Sequence, residues 1–447
     1  MSRSTPRTIL LLLATCLTVT AAEARTVTVD TTVDNGALTA CKDAAPNDCS
    51  LRGALNAAGA AAEHYDIVLP AGTYPTSESV RCSFFSGLHN GTFSELTTGL
   101  CLHGDVAILG AGADRTFIDG MNTGRVMMAD AATTVAIRDV TITHGFFVAG
   151  SFIGRTAGIV THGTMTLTDV VLTANHGGDG AAIYSVGDLF MERCQVTANT
   201  AEGYGGGIYN GGYELEVPRK SFTLIDSTVA QNTSTGQGGG VFIANKTATV
   251  IGSTFSGNSA SGPGGGIRTS SNVGMRIVNT TFTGNDAFTG GGLHTADDCA
   301  SCAVSFTNVT ITGNHANQGG GGVAFFGAPA TISNSIVAGN TTSGYGPNCF
   351  SWGFASRGYN VFGDLKDCDP TTGDTTGDQI NVANPTLGAL GLNGGLTATM
   401  VPLASSPALD HGSPAAPGSG DGACVAVDQR QVLRPLGTRC DVGAVER

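Results

Sequence analysis

Charge is scarce in this chain of 447 residues: 13% are Asp, Glu, Lys or Arg, and only 22 are basic. The formal charge of −13 becomes −14 (20 basic against 34 acidic residues) once Arg3, Arg7 and Glu23 leave with the N-terminal leader described below. A basic footprint for nucleic acid is missing, and an acidic exterior repels phosphate backbones at long range. The same charge disfavours polyanionic polysaccharides unless a local basic strip or a bound cation compensates. After about Val19 no apolar run is long enough to cross a membrane as a helix. No Gly-Lys-Ser/Thr occurs, which sets aside a phosphate-cradling loop. The triplet Gly264-Gly265-Gly266 and its siblings carry no Asp, which sets aside a calcium-binding β-roll.

Glycine, by contrast, numbers 66, about twice the usual share of about 7%. It clusters in front of bulky apolar residues: Gly205-Gly206-Gly207-Ile208, Gly238-Gly239-Gly240-Val241, Gly264-Gly265-Gly266-Ile267 and Gly290-Gly291-Gly292-Leu293. Seven asparagines punctuate the same region, each closing a short apolar run: Asn175, Asn199, Asn232, Asn258, Asn285, Asn314 and Asn340, at intervals of 24 to 33 residues. Self-similarity at this period marks stacked units that cannot bury their apolar faces alone. Residues 247–258 alternate apolar with small polar residues, which is a strand pattern. Glycine triplets inside helices would cost about 1 kcal/mol per residue, so a helical solenoid is a poor reading. The chain is expected to be all-β: a single-stranded right-handed parallel β-helix with coils of about 27 residues. Each Asn is expected in a turn, tolerating a left-handed backbone and bonding through its amide to the Asn one coil away.

Arg3 and Arg7 precede an apolar stretch from Ile9 to about Val19, and Ala22-Glu23-Ala24 offers a small-x-small cleavage site. This reads as a secretory leader, residues 1–24, and the protein as secreted. Eleven cysteines then remain, ten of them in close pairs: Cys41/Cys49, Cys82/Cys101, Cys299/Cys302, Cys349/Cys368 and Cys424/Cys440. In an oxidising compartment these read as local disulfides. Cys299-Ala300-Ser301-Cys302 leaves a redox or metal role open beside a turn clip. Cys194, left over in a strand-like run, reads as a core thiol.

Cys49-Ser50-Leu51-Arg52-Gly53-Ala54-Leu55-Asn56-Ala57-Ala58 resembles the CSLREA motif near the start of exported bacterial β-helix proteins, departing from it at Gly53 and Leu55. Asp48 or Ser50 is placed to cap a helix whose apolar face is Leu51, Ala54, Leu55 and Ala58 and which would cover the first coil. Residues 66–74 and 106–120 resemble the opening coils of the pectin-lyase-like fold. Pro385-Thr386-Leu387-Gly388, Asn393-Gly394-Gly395, Ser406-Pro407-Ala408-Leu409-Asp410, Asp428-Gln429-Arg430 and Cys440-Asp441-Val442-Gly443-Ala444 are similar to the choice-of-anchor Q domain. The repeats between, with Phe255, Phe282 and Ile311 each three residues before an Asn, resemble those of polymorphic outer-membrane proteins. The resulting division is a leader (1–24), an N-terminal region with a capping helix (25–65), coils (66–345) and a disulfide-clipped C-terminal cap (346–447).

Candidate chemistry sits beside the repeat's apolar positions. If Ile183, Ile208, Val241, Ile267, Leu293 and Val323 point inward, then Tyr184, Tyr209, Phe242, Arg268, His294 and Ala324 point outward as one strip, spaced by about 4.8 Å. Aromatic faces beside Arg268 and His294 would suit sugar stacking. For a β-eliminating lyase His294 is the candidate base and Arg268 the candidate stabiliser of a carboxylate. Inverting hydrolysis would need two facing carboxylates on adjacent coils, and the coils supply few. Asp286 and His315 are a weaker pair on a neighbouring turn. Asp364, Asp367, Asp369, Asp374 and Asp378 form the one acid-rich loop, whose spacing departs from a calcium loop; calcium stays an option there, and no other metal or cofactor is expected. The functional expectation is a secreted or cell-surface-associated, adhesin-like β-helix protein binding a polysaccharide or a cell-surface partner. The alternative is a polysaccharide lyase or glycoside hydrolase.

Overall fold

The computed structural model describes residues 24–447 apart from 43–44, 62, 79, 85–92, 132, 148–155, 212–219, 245–246, 271–272, 296–302, 327–329, 352–353 and 369–371. The fifth expected disulfide, Cys299–Cys302, lies outside the described residues, as do Asp369 and residues 1–23 of the expected leader. The other residues form an all-β right-handed parallel solenoid with almost no helix.

One coil shows the construction. Thr247–Ile251 lies in a first sheet, Thr254–Ser256 in a second, Ser259–Ala260 in a short fourth and Ile267–Thr269 in a third. The chain then rejoins the first sheet at Gly274–Val278, with Thr247 opposite Gly274 and Ile251 opposite Val278. Repetition stacks 13 described strands in the first sheet, 11 each in the second and third, and seven in the fourth. The only antiparallel ladder among them joins Val80–Phe84 to Phe93–Leu102.

The core is the inner face of these sheets. Phe222, Phe255, Phe282, Phe306, Phe325, Phe354 and Phe362 are fully buried there. The rings of Phe255 and Phe282, on successive coils, stack at 4.7 Å. Each such side chain contributes about 1.5–3 kcal/mol relative to leaving it exposed.

The seven asparagines are buried and bonded in series. Asn285 Oδ1 accepts from the backbone N–H of Asn258 at 3.1 Å and from its Nδ2 at 2.9 Å; Asn314 does the same for Asn285 at 3.1 and 2.8 Å. Asn348 extends the series by accepting from Asn340 at 3.2 and 3.1 Å. One expectation is corrected: the left-handed residue is the one before each Asn. Ala174, Ala198 and Gln231 take φ of 54–56°, and Gly257, Gly284, Gly313 and Gly339 take 62–72°. The Asn itself keeps an ordinary backbone so that its amide turns into the stack.

The triplets are glycine because backbones meet there. A Cβ on Gly265 would lie 2.4 Å from the Gly291 carbonyl oxygen, and one on Gly266 2.5 Å from that of Gly292.

A helix, Leu51–Ala60, covers the first coil; Ser50 caps it, accepting from Gly53 N–H at 2.9 Å. Leu51, Ala54, Leu55 and Ala58 are buried. Gly53 is needed because a Cβ there would sit 1.9 Å from the Leu38 carbonyl oxygen. Disulfides join Cys41–Cys49, Cys82–Cys101, Cys349–Cys368 and Cys424–Cys440, while Cys194 is a buried free thiol. No helix among the described residues is long and apolar enough to cross a membrane.

The last sixty or so residues run back along the outer face of the second sheet. Their docking is polar and specific. Asn279, Asn308 and Asn334, all left-handed corner residues, reach out to this segment's backbone. Asn308 Oδ1 accepts from Val425 N–H at 3.0 Å, Asn334 Oδ1 from Ser413 N–H at 2.8 Å, and Asn279 Nδ2 donates to the Val427 carbonyl at 2.8 Å. Gln429 bridges Thr281 at 2.7 Å and Thr254 at 2.8 Å. Beneath them Arg434 and Glu446 form a fully buried ion pair at 3.0 Å.

Candidate functional site

The third sheet aligns the expected strip residue by residue: Tyr184 opposite Tyr209, Tyr209 opposite Phe242, Phe242 opposite Arg268, Arg268 opposite His294, His294 opposite Ala324. Its exposure is corrected. Tyr184, Tyr209, Phe242 and His294 are all buried, between 2% and 8% exposed. The rings of Tyr184 and Tyr209 stack at 4.8 Å, those of Tyr209 and Phe242 at 5.2 Å, and Tyr204 covers Phe242 at 5.1 Å. Tyr209 is thus stacked between two rings along the axis, and Tyr184 and Phe242 each lie against at least one ring. A sugar needs a bare face, and the column offers edges.

The candidate acid–base pair is enclosed as well. His294 stacks on Phe326 at 4.9 Å, and its Nδ1 has no hydrogen-bond partner. Burial, and then the neighbouring Arg268 charge, hold its pKa well below 6.5. Arg268 is half-buried and turned along the sheet, donating through Nε to Gln237 Oε1 at 3.0 Å and to the Thr269 carbonyl.

Asp286 and His315 are register neighbours in the fourth sheet, and His315 Nδ1 lies 3.0 Å from Thr341 Oγ1. The acid-rich loop disperses its carboxylates. Asp364 accepts from Lys366 N–H at 2.8 Å, Asp367 from Gly346 N–H at 3.2 Å, and Asp374 from Thr376 N–H at 3.0 Å. Asp378 takes Ser356 Oγ at 2.7 Å and Asn360 N–H at 2.9 Å. Among the described residues no group of three or more His, Cys, Asp or Glu is placed to hold a metal ion.

A different surface is concave. Between the outer face of the first sheet and residues 418–426 lies a groove of about 450 Å³. Its floor is the outward side of four successive strands. Arg276 sits opposite Ser305, and Ser305 opposite Thr331; one step across, Thr307 and Ser333 fill the parallel row on the same two coils as Ser305 and Thr331. Arg357, on the next strand of that row, closes the far end. Both arginines are exposed, and neither forms an ion pair with a described carboxylate. The lip is held by Asn334 Nδ2 donating to the Gly422 carbonyl at 2.9 Å, by Asn308 on Val425, and by the Cys424–Cys440 disulfide. Sequence reading passed over this groove. Its one local signal was an Arg at the outward position of two otherwise uncharged strands, and the lip comes from about 60 to 150 residues further along the chain.

The family model of the Chlamydia polymorphic membrane protein repeat matches residues 252–270. That stretch is one coil's passage from the corner after the first sheet, through Asn258 and the glycine triplet, to the strand Ile267–Thr269. No curated protein matches the chain.

Proposed function

We propose that this is an exported, cell-surface-associated β-helix protein that acts by binding a glycan or protein partner. The observation that carries this reading is the similarity of residues 252–270 to the repeat of a membrane-protein family. Disulfides near both ends agree with an oxidising compartment. In this reading residues 1–24 are a leader that is removed, 25–65 cap the stack, 66–345 form the coils and 346–447 form the C-terminal region. A rigid stack suits presentation, because each coil is fixed by its neighbours on both sides. Burial of His294 and the dispersal of the acid-rich loop argue for binding over polymer cleavage.

The test has two arms. Expression with the native leader, followed by fractionation and protease shaving of intact cells, should find the chain trimmed at its N-terminus and accessible from outside. Retention in the cytosol with an intact leader would sink the proposal. The purified protein should release no unsaturated uronate absorbance and no reducing ends from a polysaccharide panel; turnover of any member would replace binding with catalysis.

A further inference from the structure

We infer that the groove between the first sheet and residues 418–426 is a binding site for an acidic polysaccharide whose carboxylated sugars are separated by neutral ones. The inference rests on the binding reading above and names the ligand class and the place. Three observations carry it.

The first is charge. The chain is strongly acidic and holds only 22 basic residues, yet two exposed arginines flank one groove, with Asp421 as the single carboxylate among the described residues that line it. A guanidinium without a carboxylate partner offers a planar, two-point donor set matched to a carboxylate. This is the local basic strip that an acidic surface needs before a polyanion can approach.

The second is spacing. Arg276 and Arg357 belong to strands three steps apart in the first sheet and to rows two residues apart, roughly 16 Å at the backbone for steps of about 4.8 Å between strands and about 3.3 Å along one. Between them lie the uncharged hydroxyls of Ser305, Thr307 and Thr331, with Ser333 buried beside them; Thr331 Oγ1 donates to the Val304 carbonyl and keeps its lone pairs as acceptors, while Ser305 and Thr307 can donate to and accept from sugar hydroxyls. A chain with a carboxylate on every ring would set an anion over that neutral floor without a cation to meet it. A chain with neutral rings between its acids matches it.

The third is rigidity. The floor is a solenoid face, and the lip is tied by Asn308, Asn334 and a disulfide, so little freedom is lost on binding. Gly418, Gly420 and Gly422, with φ of 79°, 134° and 81°, leave the lip without a side chain at three of its positions, making room for a chain to lie along the axis.

The experiment is affinity electrophoresis of the whole secreted protein in gels containing hyaluronate (acidic and neutral sugars alternating), polygalacturonate (every ring acidic) or dextran (neutral). Hyaluronate should retard the protein most and dextran not at all. The Arg276→Ala/Arg357→Ala variant should bind hyaluronate at least about tenfold more weakly, with an unchanged melting curve. Arg138→Ala, an exposed arginine of the same sheet away from the groove, should behave as wild type. Equal retardation of the double variant, or retardation by polygalacturonate matching that by hyaluronate, would overturn the inference. Retention of the protein on intact cells with no affinity for hyaluronate would reject this site while leaving the surface-binding reading standing.

Discussion

Asn285 and Asn314 share two hydrogen bonds on a single oxygen: Asn314 Oδ1 accepts from the Asn285 backbone at 3.1 Å and from its Nδ2 at 2.8 Å, with both residues fully buried. Asn285 in turn serves Asn258 and donates to the Phe255 carbonyl at 2.9 Å. Asn285→Ala therefore leaves the Asn258 backbone N–H and one of its two amide N–H bonds without an acceptor where water does not reach, while the other still meets the Val229 carbonyl. Each buried group left unpaired costs about 1–3 kcal/mol, so a loss of at least about 3 kcal/mol is expected. Urea denaturation followed by circular dichroism reads it, and a midpoint within error of wild type would refute the ladder's structural weight.

Gly265 and Gly274 make an internal contrast. A Cβ on Gly265 collides with the Gly291 carbonyl oxygen at 2.4 Å, whereas one on Gly274 meets nothing nearer than 3.9 Å. Gly265→Ala must push two coils apart and should destabilise by several kcal/mol, within the range for forced overpacking of about 1–3 kcal/mol or more. Gly274→Ala should be neutral or stabilising by about 0.4–1 kcal/mol. Equal melting temperatures for the two variants would refute close coil approach as the reason for the triplets.

The stack was legible in the sequence because it is periodic. Asn spacing, glycine triplets and strand alternation each repeat, so independent signals agreed on one coil. Burial of Tyr209 and Phe242 was not legible. Alternation tells which residues leave the core, and says nothing about what then covers them. Arg52 is the clearest miss at the N-terminal end: it pairs with Asp34 through Nε at 2.6 Å and a terminal nitrogen at 2.8 Å, 18 residues away across a loop. The docking of Asn308 on Val425, 117 residues apart, is non-local in the same sense. No period announces such a contact.

His64 gives the N-terminal coil a pH dependence. Burial pulls its pKa down, but hydrogen bonds to Asp105 at 2.8 Å and Asp66 at 3.1 Å together outweigh that and hold it above 6.5. A raised folded pKa means stability fully present below about pH 6.5 and lost as pH rises through the folded value. His103, raised by its hydrogen bond to Asp130, acts in the same direction. Amide exchange in strand Tyr65–Leu69 should therefore quicken, beyond its intrinsic pH effect, between pH 6 and pH 8. His64→Gln should flatten most of that change; an identical pH profile in the variant would assign it elsewhere.

Cys194 is enclosed, with its Sγ 3.4 Å from the Leu167 carbonyl oxygen, and burial pushes its pKa up to about 12. Thiolate is the reactive species, so native protein at pH 8 should resist a thiol reagent over hours. Urea should expose Cys194 to the reagent without reduction. Prompt labelling of native protein would show that the coil at Phe190–Val196 opens readily.

The aromatic column admits a decisive separation of packing from binding. Tyr209 stacks between Tyr184 and Phe242, and Phe242 is also covered by Tyr204. Removing two buried rings forfeits their transferred area and leaves a cavity, at about 3–5 kcal/mol for a single large-to-small change of this kind. Because the two sites are in contact, the double variant should lose less than the sum of the single changes. Tyr209→Ala/Phe242→Ala is accordingly expected to melt well below wild type. Its retardation in a polysaccharide gel, run below its melting point, should be unchanged, since the groove that carries Arg276 and Arg357 lies on another sheet. A variant that keeps its stability but loses retardation would move the binding surface back to the third sheet.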